Sequence, residues 1–122
     1  MRLWHEDMIS KLPRQQLLGQ HRECCALRGK GWGKPHATVN YVFTYSPYKL
    51  YQYHMIVMNE MEARGYKPLS LWKDKNYRGK IAPTYENLPE EPITLPLYAE
   101  HDDAYLDECF LNLEEKHIFL ER

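Results

Sequence analysis

The chain has 122 residues, 43% of them hydrophobic and 27% charged, which is ordinary for one globular domain with a modest core. Its uncharged runs are too short and too polar to span a bilayer, so we expect no membrane partner. Charged residues interrupt any signal-peptide core, and the three cysteines form no disulfide framework. We therefore expect a cytoplasmic protein. The net charge of −1 hides a basic body that can bind phosphates, with 14 Lys and Arg against 6 Asp and Glu in residues 1–80, and an acidic end, with 2 against 11 in residues 81–122.

The first helix is predicted from Arg14 to about Arg28. Pro13 suits a first-turn position, and apolar residues recur at helical spacing from Leu17 to Leu27. Three glycines and a proline fall within residues 29–35. They are expected to end the helix near Gly29.

A second helix is predicted from Ser46 to about Arg64. Ser46 suits the N-cap, Pro47 suits the first turn, and Gly65 stands where a glycine commonly follows a helix. The preceding residues 36–45 have a strand-like composition. No partner strand is evident for them, so we expect an extended segment or a short helix packed on the core.

Residues 66–96 are predicted to form a long irregular loop, because they contain five prolines and little periodicity. Its basic, aromatic segment 72–80 is a candidate functional loop. A third helix is expected from Leu97 to about Phe119, with His101 and His117 inward and acidic residues outward. The sequence therefore predicts an all-α, compact three-helix single domain over residues 1–122.

The N-terminal amine is the first candidate functional group. An α-amino group titrates near pH 8, against about 10.4 for a lysine, so part of it is unprotonated and nucleophilic at neutral pH. It lies a short reach upstream of Arg22 and Glu23 on the first helix. Amine, carboxylate and arginine together suggest Schiff-base chemistry on a phosphodiester substrate.

Several segments carry a family resemblance. They are Gln15–Glu23 with its Arg22-Glu23 pair, the end of the second helix at Glu60–Tyr66, the turn Tyr77–Gly79 and the acidic third helix around Tyr105–Glu108. With these the chain resembles the pyrimidine dimer DNA glycosylase (phage endonuclease V-like) family, and most closely a bacterial branch that begins Met-Arg-Leu-Trp-His. The similarity spans most of the chain and is strongest in the first helix.

The resemblance implies three helices around one core and a DNA repair-type N-glycosylase/AP lyase without a cofactor. The N-terminal amine would attack the deoxyribose C1′, expel the base and form an imine, and β-elimination would then cut the strand. Glu23 would stabilise the cationic sugar and move the proton lost in elimination, and Arg22 would hold a flanking phosphate. The implied partner is damaged or abasic DNA, kinked or with its base flipped out.

The chain departs from the phage enzyme at both ends. In that enzyme the initiator methionine is removed and a small residue supplies the amine, whereas the second residue here is the large Arg2. The expected nucleophile is therefore the amine of Met1, or of Arg2 if the methionine is removed. The aromatic, basic C-terminal tail of the phage enzyme is also missing. Two alternatives stay open: an amine-dependent glycosidase on another nucleotide substrate, and a catalytically silent nucleic-acid-binding or interaction module.

Further residues are candidates for substrate binding. Trp4 and His5 adjoin the nucleophile and could stack on a base or hold a proton, and His21 adjoins the Arg-Glu pair. The basic residues of the first helix and of the glycine-rich segment combine charge with a stacking ring, as in single-strand binders; the set is Arg14, Arg28, Lys30, Trp32 and Lys34. The alternative for these residues is an ordinary surface or core role.

No metal site is predicted. Histidines and cysteines that suggest zinc are His21, Cys24, Cys25, His54, His101 and His117. No Cys-x-x-Cys pair exists, however, and inward His and Cys residues on helices are more often part of the core.

Overall fold

The computed structural model describes residues 2–35 and 38–122. Met1, a predicted nucleophile, and residues 36 and 37 of the predicted extended segment lie outside the described residues. The α-helices are α1 (Arg14–Arg28), α2 (Pro47–Ala63) and α3 (Asp103–Glu115), and short 3₁₀ helices occur at Glu6–Lys11, Asn40–Thr44 and Ser70–Lys73. No strand occurs in the part of the chain that the structure describes, so the all-α prediction is confirmed.

Helix α1 has the predicted bounds. Pro13 occupies the N-cap rather than the first turn, and the Gly29 N–H closes the helix by bonding to the carbonyl oxygens of Cys25 and Ala26. A Cβ atom at position 29 would lie 2.9 Å from the carbonyl oxygen of Arg78. Glycine is therefore required there because another backbone segment passes close to the end of the helix.

Helix α2 begins and ends as its capping residues predict. The Ser46 hydroxyl accepts a hydrogen bond from the Tyr48 amide at 3.2 Å. At the other end, the amides of Gly65 and Tyr66 bond back to the carbonyl oxygens of Glu62 and Met61. Gly65 adopts a φ of +91°, the left-handed conformation of a Schellman motif.

The prediction for the third helix was wrong at both ends. Helix α3 begins at Asp103, because the Asp102 carboxylate accepts from the Tyr105 amide at 2.8 Å and caps it. Leu97 and His101 are buried, but they reach the core from the irregular segment between the long loop and α3 and not from a helix. His117 lies beyond the helix with a φ of +61° and is exposed, because the helix has already ended at Glu115.

The core is formed where α1 and α2 pack together and where the first 3₁₀ helix packs on α2. Arg64 joins the end of α2 to the end of the first 3₁₀ helix, since its guanidinium donates to the carbonyl oxygen of Leu12 at 2.7 Å. Lys49 holds the end of the long loop to α2 by donating to the Thr94 hydroxyl at 2.9 Å and to the carbonyl oxygen of Leu97 at 2.8 Å. Among the described residues, no helix combines the length and the apolarity needed to cross a membrane.

Candidate active site

A cleft of about 470 Å³ opens beside the first described residues of the chain. One face of α1 forms much of it, because the α1 residues that line it are spaced three and four apart. Its lining residues are Arg2, Trp4, Gln15, Gln16, Gly19, Gln20, Arg22, Glu23, Thr38, Asn112 and Lys116. Four predicted site residues therefore lie around one cavity, namely Arg2, Trp4, Arg22 and Glu23.

Gln20 joins the N-terminal segment to Glu23. Its side-chain Nε2 donates to the carbonyl oxygen of Arg2 at 3.1 Å and to Glu23 Oε2 at 3.2 Å. Its Oε1 accepts from the Trp4 amide at 2.7 Å and lies 2.8 Å from the Tyr53 hydroxyl. A carboxamide has two donor hydrogens and two acceptor lone pairs, so the buried Gln20 uses both of its donor hydrogens and accepts the Trp4 amide here.

Buried tyrosines fix the backbone of residues 2–4. The Tyr53 hydroxyl donates to the carbonyl oxygen of Trp4 at 2.6 Å, and the Tyr105 hydroxyl donates to the carbonyl oxygen of Leu3. Burial raises the pKa of both phenols, so they remain protonated donors at neutral pH. Leu3 is fully buried. These bonds therefore hold the backbone next to Arg2 in a defined position at the wall of the cleft.

Cationic side chains share the cleft with Glu23. Arg2, Arg22 and Lys116 all line it. The Arg2 guanidinium lies 5.8 Å from the centre of the Trp4 ring, and Lys116 Nζ lies 5.6 Å from it. Positive side chains around one cavity concentrate anionic ligands such as phosphates. The cleft therefore combines one carboxylate with positive side chains that attract a polyanion.

His5 and Trp32 are not brought to this cleft. His5 is buried, and its Nδ1 accepts from the Asp7 amide at 3.0 Å, which caps the first 3₁₀ helix. Trp32 is half-buried, with its ring packed edge-on against Phe43 at a centroid distance of 5.0 Å. Both side chains contribute to packing in this structure, and neither presents a free ring to the cavity.

Other predicted cations lie outside the cavity. Arg14, Lys30 and Lys34 are exposed, but none of them lines the cleft. The Arg14 guanidinium lies 6.0 Å above the Tyr66 ring. Any contact that these three make with a nucleic acid would be outside the cavity that holds Glu23.

Arg28 is buried and is used by the protein itself. Its guanidinium donates to the carbonyl oxygens of Trp72 at 2.7 Å and Asp74 at 2.9 Å, and it lies 5.2 Å from the Tyr51 ring. These contacts fasten the 3₁₀ helix at 70–73 and the loop after it to the end of α1. The sequence assigned Arg28 to substrate binding, but the structure does not bring it to the cleft.

The segment 72–80, predicted as a candidate functional loop, docks on the end of α1. The Arg78 guanidinium donates to the carbonyl oxygens of Arg28 and Gly29, each at 3.1 Å. Carbonyl groups at a helix C-terminus lack intrahelical partners, so an arginine from the loop satisfies them. Packing on the helix end therefore accounts for Arg78 in this segment.

His21 likewise points away from the cleft. Its Nδ1 lies 2.8 Å from His54 Nε2, and its Nε2 lies 3.8 Å from Cys25 Sγ. On an α-helix, position 21 is on the opposite side from position 23. His21 is therefore part of a separate polar cluster between α1 and α2.

A family model described as pyrimidine dimer DNA glycosylase matches residues 1–74. The chain belongs to this family. The match covers the first 3₁₀ helix, α1 and α2, and with them Arg2, Gln20, Arg22 and Glu23 of the cleft. Neither the curated proteins nor the solved structures contain a significant match to this chain.

Part of the cleft of this glycosylase family member comes from beyond the matched segment. Asn112 and Lys116, near the end of α3, line it together with Glu23. Family membership indicates action on DNA. The positive side chains of the cleft, Arg2, Arg22 and Lys116, suit it to a substrate with phosphates. The acidic end of the chain therefore contributes one of its two cations to the cavity.

Sequence reasoning missed Gln20, Asn112 and Lys116. Gln20 carried a usable signal, because it precedes Glu23 by three residues and so shares its helix face. Lys116 also carried a signal, because it is one of only two Lys and Arg residues in the acidic segment 81–122. That Asn112 and Lys116 lie beside the N-terminal segment, by contrast, depends on tertiary packing.

Proposed function

We propose that this protein is a DNA N-glycosylase/AP lyase that acts through a Schiff base on its N-terminal amine, with Glu23 as the acid/base group. The observation that carries the proposal is the Gln20 link: one buried carboxamide nitrogen donates both to the carbonyl oxygen of Arg2 and to Glu23 Oε2. The segment that leads to the amine and the carboxylate that would serve it are thereby anchored to each other.

The proposed chemistry runs in two stages. The unprotonated amine attacks the deoxyribose C1′, the bond to the base breaks with its electron pair, and the base leaves after protonation. The ring C1′–O bond then opens to give an iminium on C1′. Glu23 stabilises the positive charge of this species. It next accepts a proton from C2′, and the 3′ phosphate leaves by β-elimination, which cuts the strand.

The cations of the cleft support phosphate binding in this proposal. Arg22 is exposed and lines the same cavity as Glu23, so its guanidinium is available to a flanking phosphate in a bidentate fork. Arg2 and Lys116 are less free, since both lie over the Trp4 ring. Trp4 is only 6% exposed, so we assign it to shaping the cleft wall and not to stacking on a base.

The experiment that tests the proposal is borohydride trapping. Protein with a native, untagged N-terminus is mixed with an oligonucleotide that contains an abasic site, sodium borohydride is added, and the cross-linked peptide is identified by mass spectrometry. We expect one adduct, on the α-amine of Met1 or Arg2. Glu23→Gln should still bind the oligonucleotide and should cut it about 10²- to 10⁴-fold more slowly.

Controls separate this mechanism from its alternatives. Glu86→Gln, an exposed glutamate of the long loop, should trap and cut as the wild type does. Chemical blocking of the N-terminal amine should abolish the adduct. Intact protein that binds the abasic oligonucleotide but gives no adduct would instead establish a binding module without lyase activity, and an adduct on a lysine side chain would place the nucleophile elsewhere.

A further inference from the structure

A second cluster of reactive side chains lies on the side of α1 opposite the Glu23 cleft. His21 and Cys25 are four residues apart on α1 and so share a face, and His54 of α2 meets them. Among residues 2–35 and 38–122, these three form the single group of three or more ligating side chains whose donor atoms all lie within 4.8 Å of one another. The cluster plays no part in the chemistry proposed above.

The distances from the sulfur to the two nitrogens are close to those of a metal centre. Cys25 Sγ lies 3.8 Å from His21 Nε2 and 3.9 Å from His54 Nε2. Imidazole and thiolate ligands at roughly 2.0 and 2.3 Å from one ion are separated from each other by about 3.3 to 3.8 Å. His21 and Cys25 are half-buried, so an ion can reach them from solvent.

The protonation pattern of the cluster is set by Arg28. Its guanidinium lies 2.9 Å from His54 Nδ1, and a guanidinium can only donate, so Nδ1 accepts and His54 carries its proton on Nε2. That proton lies in the 2.8 Å hydrogen bond to His21 Nδ1, so neutral His21 carries its own proton on Nε2. An ion bound at the two Nε2 atoms requires both protons to move to Nδ1, and the contacts of His54 with Arg28 and His21 to open. Arg28 would keep its bonds to the carbonyl oxygens of Trp72 and Asp74 after its contact with His54 opens.

The charge of Arg28 also selects the ion. A thiolate with a monovalent ion is neutral, whereas a thiolate with a divalent ion leaves a net positive charge beside a buried guanidinium. Thiolate ligands favour soft ions, Cu(I) among them, and imidazole also suits copper. Burial, with the charges of Arg22 and Arg28, lowers the pKa of His21, and burial with Arg28 lowers that of His54. Both imidazoles are therefore neutral and able to act as ligands at pH 7.

We propose that His21, Cys25 and His54 form a binding site for one monovalent thiophilic metal ion, Cu(I) or its analogue Ag(I). The ion is held by one thiolate and two neutral imidazoles. Binding releases the Cys25 thiol proton to solvent and changes no oxidation state. Burial raises the pKa of this thiol to about 11, so the thiol is protonated at neutral pH until an ion displaces its proton. The occupied site would cross-link α1 to α2.

The test is an anaerobic titration of the whole protein with Cu(I) in competition with a chromogenic Cu(I) chelator, followed by X-ray absorption of the copper. Wild-type protein should take up one equivalent, and the first shell should contain one sulfur and two nitrogens. Cys25→Ser should weaken binding by more than about 100-fold, since even changes outside the ligand shell cost about 10- to 100-fold. Zn(II) should compete poorly.

The adjacent cysteine supplies a matched control. Cys24 is fully buried on the core side of α1, so Cys24→Ser should retain the equivalent of Cu(I). His21→Gln, which removes a half-exposed ligand, should weaken binding even if Cys25→Ser proves to be misfolded by circular dichroism. Unchanged Cu(I) affinity in folded His21→Gln, a first shell of sulfur alone, or equally tight binding of Zn(II) would overturn the proposal. None of these readouts depends on DNA.

Discussion

A single side-chain nitrogen, Gln20 Nε2, lies 3.1 Å from the carbonyl oxygen of Arg2 and 3.2 Å from Glu23 Oε2. The two partners come from different parts of the chain, one from the N-terminal segment and one from α1. Their relative position therefore depends on the Gln20 carboxamide as well as on the fold. This arrangement leads to the first prediction.

Gln20→Glu should impair imine trapping although it preserves the shape of the side chain. A carboxylate cannot donate to Arg2 or to Glu23 and repels the second. Misplacement of a catalytic group by about 1 Å costs about 10²-fold in rate, and we expect a loss of this order in single-turnover strand cutting. Asn59→Asp, which makes the same carboxamide-to-carboxylate change at an exposed position of α2 outside the cleft, is the control and should cut at near wild-type rate. Equal rates for the two variants would exclude a positioning role for Gln20.

Tyr53→Phe should lower the free energy of unfolding by about 1–3 kcal/mol, because it leaves the buried carbonyl oxygen of Trp4 without its donor. The measurement is urea denaturation followed by circular dichroism. Tyr66→Phe, at a half-buried phenol outside this network, should change the midpoint little. If the two variants are equally stable, the Tyr53 hydroxyl does not secure the N-terminal segment.

Arg28→Met should destabilise the protein by about 2–4 kcal/mol and should leave the salt dependence of DNA binding unchanged. The buried guanidinium satisfies the carbonyl oxygens of Trp72 and Asp74, and hydrogen bonds to charged groups are worth about 1.5–3 kcal/mol each. Denaturant titration and binding at several salt concentrations measure the two effects. A variant of full stability with a reduced salt slope would return Arg28 to the DNA interface.

Arg22→Ala and Lys116→Ala should each reduce the slope of log Kd against log salt by about 1 for an abasic duplex, because each removes one cation from the Glu23 cleft. Fluorescence anisotropy over a range of salt concentrations makes the measurement. Lys67→Ala, an exposed lysine beyond α2, is the control. The cleft would not be the DNA-binding surface if all three variants kept the wild-type slope.

The stability of the protein should fall in acid partly through Glu6. Burial alone would raise the pKa of Glu6, but hydrogen bonds from the His101 imidazole and the Leu97 amide outweigh it and hold the pKa below its ordinary value of 4.5. A carboxyl group with a lowered folded-state pKa contributes stability above pH 4.5 that is lost as the pH falls through the folded-state value.

Glu6→Gln tests this contribution. The variant should be less stable than wild type above about pH 5, and the difference should shrink steadily below pH 4.5. Urea midpoints measured from pH 3 to pH 7 make the comparison, with the exposed Glu86→Gln as reference. A difference that stays constant across this range would show that the Glu6 carboxylate has no altered titration in the folded protein.

The ends of α1 and α2 follow from residues next to them in the chain. Ser46, Pro47 and Gly65 act on the few backbone groups of their own helix, so local sequence is sufficient to predict α2. The sequence predicts too early a start for the third helix, because Leu97 and His101 continue its helical spacing. Both side chains are buried, but from an irregular segment before α3, an arrangement that no local pattern encodes.

Helical periodicity and capping residues were enough to predict an all-α domain, and the family resemblance carried by the segments Gln15–Glu23, Glu60–Tyr66, Tyr77–Gly79 and Tyr105–Glu108 indicated this glycosylase family. Only the tertiary structure placed Arg28 inside the protein, because its burial depends on a loop more than 40 residues away. The same holds for the meeting of Arg2 with Glu23 through Gln20, and of His54 with His21 and Cys25. Periodicity fixes which residues share one helix face, whereas packing between separate segments decides which faces meet.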